Sequence, residues 1–394
     1  MSRINDLIGQ YCPDGVEFKP LGDLLSYEQP GKYLVKSTAY DDSYSTPVLT
    51  AGQTFILGYT DETENLYPAS SKNPTIIFDD FTTAFKWVDF PFKAKSSAMK
   101  MLTPRPTEEV NFRFVYYAML CIQFTPQEHA RQWISQYSTF RVPVPPLDVQ
   151  REIVKVLDTF TALEAALEAE LDARRQQYKY YRDELLTFDH RAPETSKEWT
   201  TLSEVGKFTR GRRFTNNDFV ESGVGCIHYG EIYTHYGLSA TETKSFLNPE
   251  LAATLRRAKK GELVIAGTGE SVEDIGKAVA WLGDDEVAVH DDCYIFSHSL
   301  NPKYMAYFFQ SSHFNEQKVK HAAGAKMIRV SSEGLGKIRI YVPPVEEQER
   351  IVSILDSFDA LINDPTSGLP AEIQARRQQY EYYRIQLLTF EEAS

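Results

Sequence analysis

Hydrophobic residues recur with a helical period in two long and nearly identical segments of the 394-residue chain. Residues 142–163 read VPVPPLDVQREIVKVLDTFTAL, and residues 340–361 read IYVPPVEEQERIVSILDSFDAL. Residues 173–188 then read ARRQQYKYYRDELLTF, and residues 375–390 repeat them as ARRQQYEYYRIQLLTF. The offset is 198 positions for the first pair of segments and 202 for the second. This pattern indicates a tandem duplication in which the second copy carries four additional residues.

Alternating steps of three and four residues in the first copy are typical of a coiled-coil helix. The apolar positions are Leu157, Phe160, Leu167, Leu171, Tyr178, Tyr181, Leu185 and Phe188, interrupted at Glu164 and Arg174. A Pro-Pro pair before each copy ends the preceding strand and favours the start of a helix. Because a single amphipathic helix cannot bury its apolar stripe alone, we expect the equivalent helix of the same chain to be its partner.

The two copies differ in the middle of the helix. Residues 162–173 read ALEA ALEA ELDA, three tetrads in sequence. Each tetrad adds about 6 Å of helix, so helix length is able to change in steps. Residues 363–370 of the second copy read NDPTSGLP, where Pro365, Gly368 and Pro370 predict a break or a kink.

Short β-type runs precede a helical start in each of the two blocks that adjoin the repeats. The predicted strands are residues 75–78, 85–88, 263–266 and 277–281, and the predicted helices begin at Asn111 and Asn301. Each block is therefore expected to be a mixed α/β globule. The predicted organisation is a domain of residues 1–142, a helix of residues 143–190, a domain of residues 191–340 and a helix of residues 341–394.

The net charge of −13 lies mainly outside the two blocks. Residues 18–142 contain 12 Lys and Arg against 13 Asp and Glu, and residues 198–340 contain 17 against 18. Each block is thus nearly neutral and able to carry the basic patch that phosphate contact requires. The four cysteines form no CxxC pair, and no apolar run reaches the roughly 18 residues of a membrane span. We expect a cytoplasmic protein without a membrane segment.

Motifs for catalysis or cofactor binding are missing from the sequence. Gly276-Lys277 lacks the other P-loop positions, and no NPPY-type motif of adenine methyltransferases occurs. His290-Asp291-Asp292 and Asp79-Asp80 offer metal ligands, although acidic pairs at strand ends are more often solvated turns. We expect no catalytic residues, no cofactor and no metal.

Basic residues, aromatic residues and hydroxyls cluster in both blocks, a combination that suits phosphates and base edges. The candidates for DNA contact in the first block are Lys86, Lys93, Lys95, Ser96 and Lys100. Those in the second block are Arg210, Arg212, Arg213, His228, Tyr229, Lys326 and Arg329. The alternative interpretation is a solvated face with half-buried tyrosines.

The duplicated segments resemble the two conserved regions of the specificity (S) subunit of type I restriction-modification systems. The opening CPDGVEFKPLGDL resembles the N-terminus of that family, and FDDFTTAFKWVDFPFKAKSSAMK and GCIHYGEIYTHYG resemble its target-recognition domains. The resemblance covers essentially the whole chain. It implies an α+β fold: two mixed α/β target-recognition domains separated by a pair of long antiparallel coiled-coil helices, arranged as a pseudo-twofold tandem duplication.

The resemblance also implies a DNA-recognition subunit without catalytic activity. Each domain would read one half of a bipartite, asymmetric site in double-stranded DNA. The helices would dock two methyltransferase (M) subunits, which use S-adenosylmethionine to methylate adenine, and through them two restriction (R) subunits. The expected partner-binding residues are Leu157, Phe160, Arg174, Arg175, Tyr178 and Tyr181, with Leu355, Phe358, Arg376, Arg377, Tyr380 and Tyr383 in the second copy.

Two other classes of function stay open at the level of sequence. One is an enzyme, a self-contained methyltransferase or nuclease that uses the acidic pairs. The other is a catalytically silent coiled-coil scaffold of a decayed or orphan methylation system, which would bind proteins only. Methylation by the purified chain alone would favour the enzyme, and loss of DNA binding from an intact complex after arginine substitution would argue against the scaffold.

Overall fold

A computed structural model describes residues 2–52, 54–106, 109–126, 130–187 and 199–393. Spatial contacts divide the chain into a first unit, Met1–Leu167 with Ile373–Ser394, and a second unit, Glu168–Glu372. Each unit combines short strands, short helices and parts of the long helices, which confirms the mixed α/β class. The predicted boundary between residues 190 and 191 and the apolar position Phe188 lie outside the described residues.

The first copy of the repeat forms one uninterrupted helix, Leu147–Leu186. The second copy forms two helices, Val345–Asn363 and Gly368–Leu388, which confirms the predicted break. No helix in the described part of the chain is long and apolar enough to cross a membrane.

A short turn stabilises the break in the second copy. The hydroxyl of Ser367 donates to Asp364 Oδ2 at 2.6 Å, and the backbone N–H of Thr366 donates to Asp364 Oδ1 at 2.8 Å. These hydrogen bonds lower the pKa of Asp364 to about 2. Gly368 follows with a φ of 69°, a left-handed conformation that favours glycine. The break is therefore specified by local side-chain and backbone chemistry.

The same aromatic contact between long helices occurs in both units. In the first unit the rings of Phe160 and Tyr383 stack with centroids 5.5 Å apart. In the second unit the equivalent rings, Phe358 and Tyr181, stack at 5.8 Å. Glu164, which follows Phe160, accepts a hydrogen bond at 2.5 Å from Arg377, which precedes Tyr383. The helices of the first unit therefore run antiparallel, and the second unit repeats the ring contact.

A buried glutamine in each copy holds the start of a neighbouring helix. Gln150 Oε1 accepts from the backbone N–H of Asn111 at 2.8 Å, and Gln348 Oε1 accepts from that of Asn301 at 2.9 Å. Asn111 and Asn301 in turn cap the helices Phe112–Met119 and Pro302–Phe308, which confirms both predicted helix starts. The repeated polar contacts extend the duplication from the helices into the α/β parts.

An aspartate in each copy makes a second attachment to the same neighbouring helix. Tyr117 Oη donates to Asp158 Oδ1 at 2.5 Å, and Tyr307 Oη donates to Asp356 Oδ1 at 2.8 Å. The basic partners of these aspartates are Arg113 at 2.9 Å and Lys303 at 2.7 Å. Each α/β part is thus fixed to a long helix by a glutamine and by an aspartate.

The described part of the first unit contains a four-stranded, a three-stranded and a two-stranded sheet. The antiparallel four-stranded sheet has the order Leu25–Glu28, Met99–Pro104, Thr75–Asp79 and Phe85–Val88. The three-stranded sheet has the order Ile56–Thr60, Thr46–Leu49 and Lys93–Ala94, and the two-stranded sheet pairs Glu17–Pro20 with Arg141–Val144. The remaining helices are Ser2–Tyr11, Leu21–Leu24 and Gln132–Ser135, with 3-10 turns at Gly31–Tyr33 and Tyr137–Thr139.

The described part of the second unit contains two five-stranded sheets. One has the order Gly206–Arg210, Cys293–His298, Leu263–Ala266, Ala278–Trp281 and Ser239–Ala240. The other has the order Phe219–Val220, Ser245–Leu247, Val224–Ile227, Val287–Val289 and Arg257–Ala258. A three-stranded sheet has the order Thr268–Gly269, Ile328–Val330 and Ala322–Ala323, and Trp199–Thr201 pairs with Arg339–Tyr341. The shorter helices are Leu202–Val205, Tyr229–Thr234, Pro249–Ala252, Ser312–Lys318 and Ser332–Gly336, with 3-10 turns at Asn216–Asp218 and Val319–His321.

The strand Thr75–Asp79 is central to the core of the first unit. Ile76 and Phe78 pack in one hydrophobic cluster with Trp133, whereas Ile77 packs in a second cluster with Phe92. Apolar residues therefore occupy both faces of this strand, which explains its continuous hydrophobic run. All four predicted strands are observed, with end residues that differ by no more than one position.

Two lysines of the first unit are buried in ion pairs. Lys100 Nζ lies 3.0 Å from Asp80 Oδ2, and both side chains are 1% exposed. Lys93 Nζ lies 3.1 Å from Glu62 Oε2 and also donates to the backbone carbonyl of Glu64. Since a charge without a partner is costly to bury, each pair ties a strand to a loop residue that lies 20 or 31 positions earlier in the chain.

Replacing Lys100 by Met is expected to lower the free energy of unfolding by about 3–5 kcal/mol, because the Asp80 carboxylate would stay buried without its partner. The matched control is Lys32→Met, which breaks an exposed pair with Glu28 and is expected to leave the free energy of unfolding nearly unchanged, because solvent screens an exposed ion pair. Urea unfolding measures both variants. Equal stability of the two would contradict this account of Lys100.

His298 gives the second unit a defined acid sensitivity. Burial lowers the pKa of His298 to about 4, so the unfolded chain, with an ordinary histidine pKa of about 6.5, binds the proton more readily. Stability is therefore full above about pH 6.5 and falls towards pH 4, by at most about 3 kcal/mol.

We expect His298→Phe to lose less unfolding free energy between pH 7 and pH 5 than the unmodified chain does. The difference should be about 2 kcal/mol, measured by urea unfolding at both pH values. His235→Phe, at an exposed position, is the matched control. An unchanged pH dependence in His298→Phe would show that the ring does not carry the effect.

Candidate nucleic-acid interface

A cleft in the second unit brings together five of the predicted DNA-contact residues. The cleft measures about 570 Å³, and these residues are Arg210, Arg213, His228, Tyr229 and Arg329. It is also lined by Asn216, Asn217, His290, Asp291 and Asp292. We call this set of ten residues the arginine cleft. Its arginine and histidine side chains donate hydrogen bonds, its asparagine amides donate and accept them, and its aspartate carboxylates accept them. Proteins use such donors on phosphates, and such donors and acceptors on base edges.

The fold builds the arginine cleft where a strand end meets a turn. Arg210 ends the strand Gly206–Arg210, and Asp291 and Asp292 lie in the turn before the strand Cys293–His298, with which it pairs. Gly211 then passes so close to this turn that an added Cβ would lie 2.1 Å from the carbonyl oxygen of His290. Glycine at this position therefore allows the arginines to approach the acidic turn.

Arg210 faces the acidic turn and stays accessible. Its Nε donates to the backbone carbonyl of Asp291 at 2.6 Å. A terminal guanidinium nitrogen lies 3.7 Å from Asp291 Oδ2 and 4.0 Å from Asp292 Oδ1. Asp292 Oδ1 also accepts from the hydroxyl of Thr268 at 3.2 Å. The side chain of Arg210 is 59% exposed, so its remaining donors face solvent.

Two histidines of the arginine cleft lie against each other, with ring centroids 4.2 Å apart. His228 Nδ1 accepts from the backbone N–H of Gly230 at 3.2 Å, and His290 Nδ1 accepts from that of Asp292 at 3.1 Å. Burial lowers the pKa of both imidazoles, and His290 lowers that of His228 further. Each ring is therefore neutral at pH 7 with its proton on Nε2, where it acts as a donor.

The ligand atoms of His290, Asp291 and Asp292 lie within 4.8 Å of one another, the geometry of a possible metal site. However, His290 Nδ1 already accepts a backbone hydrogen bond, and the guanidinium of Arg210 supplies a positive charge beside both carboxylates. The guanidinium of Arg210 therefore explains why the two carboxylates lie close together. The position of these three residues does not by itself indicate a metal site.

Arg212 and Lys326, the other two predicted contacts of the second block, lie outside the lining of the arginine cleft. Arg212 donates to the carbonyl oxygen of Thr254 at 2.5 Å. Lys326 is exposed in the connection between the strands Ala322–Ala323 and Ile328–Val330. Asn216 and Asn217 of the RFTNND stretch were not predicted as DNA contacts, although amides directly after an arginine cluster are a signal for base recognition.

Lys93 and Lys100 of the first block are not on the surface, and this corrects the expectation of a DNA contact. Both lysines are 1% exposed, and their charges are neutralised inside the unit by Glu62 and Asp80. The other first-block candidates, Lys86, Lys95 and Ser96, are half-buried. Lys95 Nζ donates to the hydroxyl of Tyr40 at 3.0 Å, and Ser96 Oγ accepts from the backbone of Ala98 at 3.1 Å.

Several of the expected partner-binding residues are used inside the helix pairs. Leu157, Leu355 and Tyr178 are buried, so they are corrected from docking residues to residues of the core. Aromatic rings in contact between helices include Phe160, Phe358, Tyr181, Tyr380 and Tyr383. Their shared role is to hold the helices together.

The four predicted arginines of the helices make contacts close to the helix surface. Arg174 and Arg376 donate to the glutamines three positions later, at 2.9 and 3.1 Å. Arg175 lies 3.4 Å from Asp172, and Arg377 lies 2.5 Å from Glu164.

Two tyrosines that were not predicted as partner-binding residues are exposed on the helices. Tyr180 and Tyr382 occupy equivalent positions of the two copies, and each is 60% exposed. An exposed tyrosine combines a large apolar ring with a hydroxyl, a common anchor of protein interfaces. Their equivalence gives the chain a matched pair of exposed aromatic positions.

Comparison with known proteins adds an independent finding. Residues 13–173 and 196–375 both match the model of the type I restriction modification DNA specificity domain. The type I restriction enzyme EcoR124I/EcoR124II specificity subunit of Escherichia coli is 42% identical over 402 residues, covering 96% of this chain and 95% of the relative.

Two solved structures share the fold at 14% sequence identity. One is the type I restriction-modification system S subunit of M. genitalium, with a TM-score of 0.53 over 95% of this chain and 96% of that one. The other comes from work on complex assembly and conformational transition of the type I R-M system, with a TM-score of 0.57 over 96% and 98% of the two chains. The family match, the tandem duplication and the fold agree: the chain belongs to the DNA specificity subunits of type I restriction-modification systems.

Proposed function

We propose that each α/β domain of this specificity subunit reads one half of a bipartite, asymmetric site in double-stranded DNA, and that the chain catalyses no reaction of its own. The observation that carries this proposal is the arginine cleft. The domains are proposed at residues 1–142 and 191–340, with the helical regions at residues 143–190 and 341–394. Both halves of the family match support the use of two domains.

Within the arginine cleft, the exposed positive charges bind phosphates of the DNA backbone. Arg213 and Arg329 are exposed, and their guanidinium groups suit phosphate oxygens. The amides of Asn216 and Asn217 and the Nε2 donor of His228 suit base edges. A scaffold that binds only proteins gives no reason to collect these groups in one cleft, so the cleft favours DNA recognition over the scaffold.

In the first domain, the proposed DNA surface is smaller than the sequence suggested. Lys86, Lys95 and Ser96 are proposed to contact DNA, since their side chains are only half-buried. Lys93 and Lys100 are left out because their ammonium groups are buried in ion pairs.

The helices are proposed to dock two M subunits and, through them, two R subunits. Tyr180 and Tyr382 support this part, because each copy of the repeat presents the same 60% exposed ring. Arg175 and Arg377 are also exposed and lie five positions before these tyrosines. Two equivalent aromatic and basic surfaces suit two copies of one partner.

Substituting Arg213→Gln together with Arg329→Gln tests the DNA-binding role. We expect weaker binding to DNA that carries the recognised site, for the full chain assembled with co-expressed M subunits. The slope of log affinity against log salt should fall by up to about 2, since about 0.9 is lost per phosphate contact in duplex DNA. A salt titration of binding measures the slope.

The matched control removes two positive charges elsewhere in the second unit. Lys259→Gln with Lys260→Gln is suitable because these side chains are 70% and 60% exposed and do not line the arginine cleft. An equal change of slope in both double variants would mean that the arginine cleft does not contact phosphates.

Deleting residues 162–165 tests the helices as a ruler. The deletion removes about 6 Å of helix, and DNA rises about 3.4 Å per base pair. We therefore expect the unread gap of the methylated motif to shorten by one or two base pairs while both half-sites persist. Sequencing of methyladenine in host DNA measures the gap.

The repeated tetrads make this deletion mild. Because residues 166–169 repeat ALEA, the shortened chain again has a glutamate three positions after Thr161, opposite Arg377. Ala165→Gln, at an exposed position, changes the same tetrad without changing its length and should keep the gap. An unchanged gap after the deletion would rule out the ruler.

A further inference from the structure

The arginine cleft contains an acidic turn, Asp291-Asp292, and phosphate binding does not explain why carboxylates lie there. Asp291 and Asp292 lie among Arg210, Arg213 and Arg329, and their carboxylates would repel a phosphate backbone. A carboxylate is favourable in a DNA-binding cleft where it accepts a hydrogen bond from a base amino group. The turn therefore points to a base edge.

We propose that Arg210 and the Asp291-Asp292 turn read one G·C base pair of the second half-site. Arg210 would donate to guanine O6 and N7, and a carboxylate of the turn would accept from cytosine N4. This inference rests on the proposed function and names the base pair that the arginine cleft selects.

The spacing of the groups fits the two bases of one pair. The guanidinium nitrogen of Arg210 lies 3.7 and 4.0 Å from the carboxylate oxygens of Asp291 and Asp292. In a G·C pair, guanine O6 and cytosine N4 are joined by a hydrogen bond and lie about 3 Å apart. A donor and an acceptor that lie 3.7 to 4.0 Å apart can therefore each reach one of these two adjacent atoms. An A·T pair also places an acceptor, thymine O4, beside a donor, adenine N6, but it lacks the two neighbouring acceptors that guanine N7 and O6 offer to the fork of an arginine.

The groups are held in place before DNA binds. Arg210 Nε is fixed by the carbonyl oxygen of Asp291 at 2.6 Å, and Asp292 Oδ1 is fixed by the hydroxyl of Thr268 at 3.2 Å. The backbone N–H of Gly267 donates to the carbonyl oxygen of Asp292 at 2.8 Å. The side chains of Arg210, Asp291 and Asp292 nevertheless stay 59%, 31% and 24% exposed. They combine fixed positions with access to a ligand.

The base requirement at each position of the methylated motif distinguishes a base-reading role of Arg210 and the acidic turn from a purely structural ion pair. Breaking a structural pair would lower the stability of the unit or weaken methylation equally at all sites. Loss of a base reader instead relaxes the sequence requirement at one position, because the wrong base no longer leaves a buried group without a partner.

The experiment compares Arg210→Lys and Asp292→Asn with the unmodified full chain, each co-expressed with M subunits, by single-molecule sequencing of methyladenine. Lysine keeps the charge of Arg210 but loses its fork, and asparagine keeps an acceptor for Thr268 while adding a donor. We expect both variants to raise methylation about tenfold or more, relative to the cognate site, at sites altered at one and the same G·C position. Asp291→Asn provides a third variant if Asp292→Asn fails to fold.

The matched controls are Lys260→Gln and Asp284→Asn, which break an exposed ion pair of the same unit without touching the cleft. These controls should leave the motif unchanged. Uniform loss of methylation, relaxation at an A·T position or a second half-site without a G·C pair would overturn this inference while the proposed function stands. Absence of any bipartite motif that depends on the unmodified chain would overturn both.

Discussion

The stacking of an aromatic ring of one repeat on a tyrosine of the other is the contact on which the architecture depends. It joins Phe160 to Tyr383 in the first unit and Phe358 to Tyr181 in the second. Such ring pairs contribute about 0.5–1.5 kcal/mol beyond the burial of their area. More important is their repetition, because an amphipathic helix needs a partner for its apolar stripe. A duplicated sequence supplies that partner from within the same chain.

The polar attachments follow the same duplication. Gln150 and Gln348 hold the cap residues of the neighbouring helices, and Asp158 and Asp356 hold their tyrosines. Each α/β part is thereby fixed to a helix by hydrogen bonds of directional geometry, which fix orientation more strictly than apolar packing does. Fixed orientation is what the proposed reading of two half-sites requires, since a misplaced domain would lose its contacts.

The sequence predicted the features that depend on residues close together along the chain. The break before Gly368, the caps at Asn111 and Asn301 and the apolar strands follow from proline, asparagine and hydrophobic runs, and all are observed. The burial of Lys93 and Lys100 in ion pairs was not predictable in this way. Their partners Glu62 and Asp80 lie 31 and 20 positions earlier, and only the folded sheet brings the charges together. In the second unit, Arg210 and the acidic turn are 81 positions apart along the chain.

The measurement that tests the central claim most directly is the methylome of a host that expresses M subunits with and without this chain. Single-molecule sequencing of methyladenine reads the motif directly from the methylated DNA, whichever bases it contains. We expect a bipartite motif with a fixed unread gap that is present only when the chain is expressed. A stable complex without chain-dependent methylation, or a motif that persists in its absence, would contradict the account.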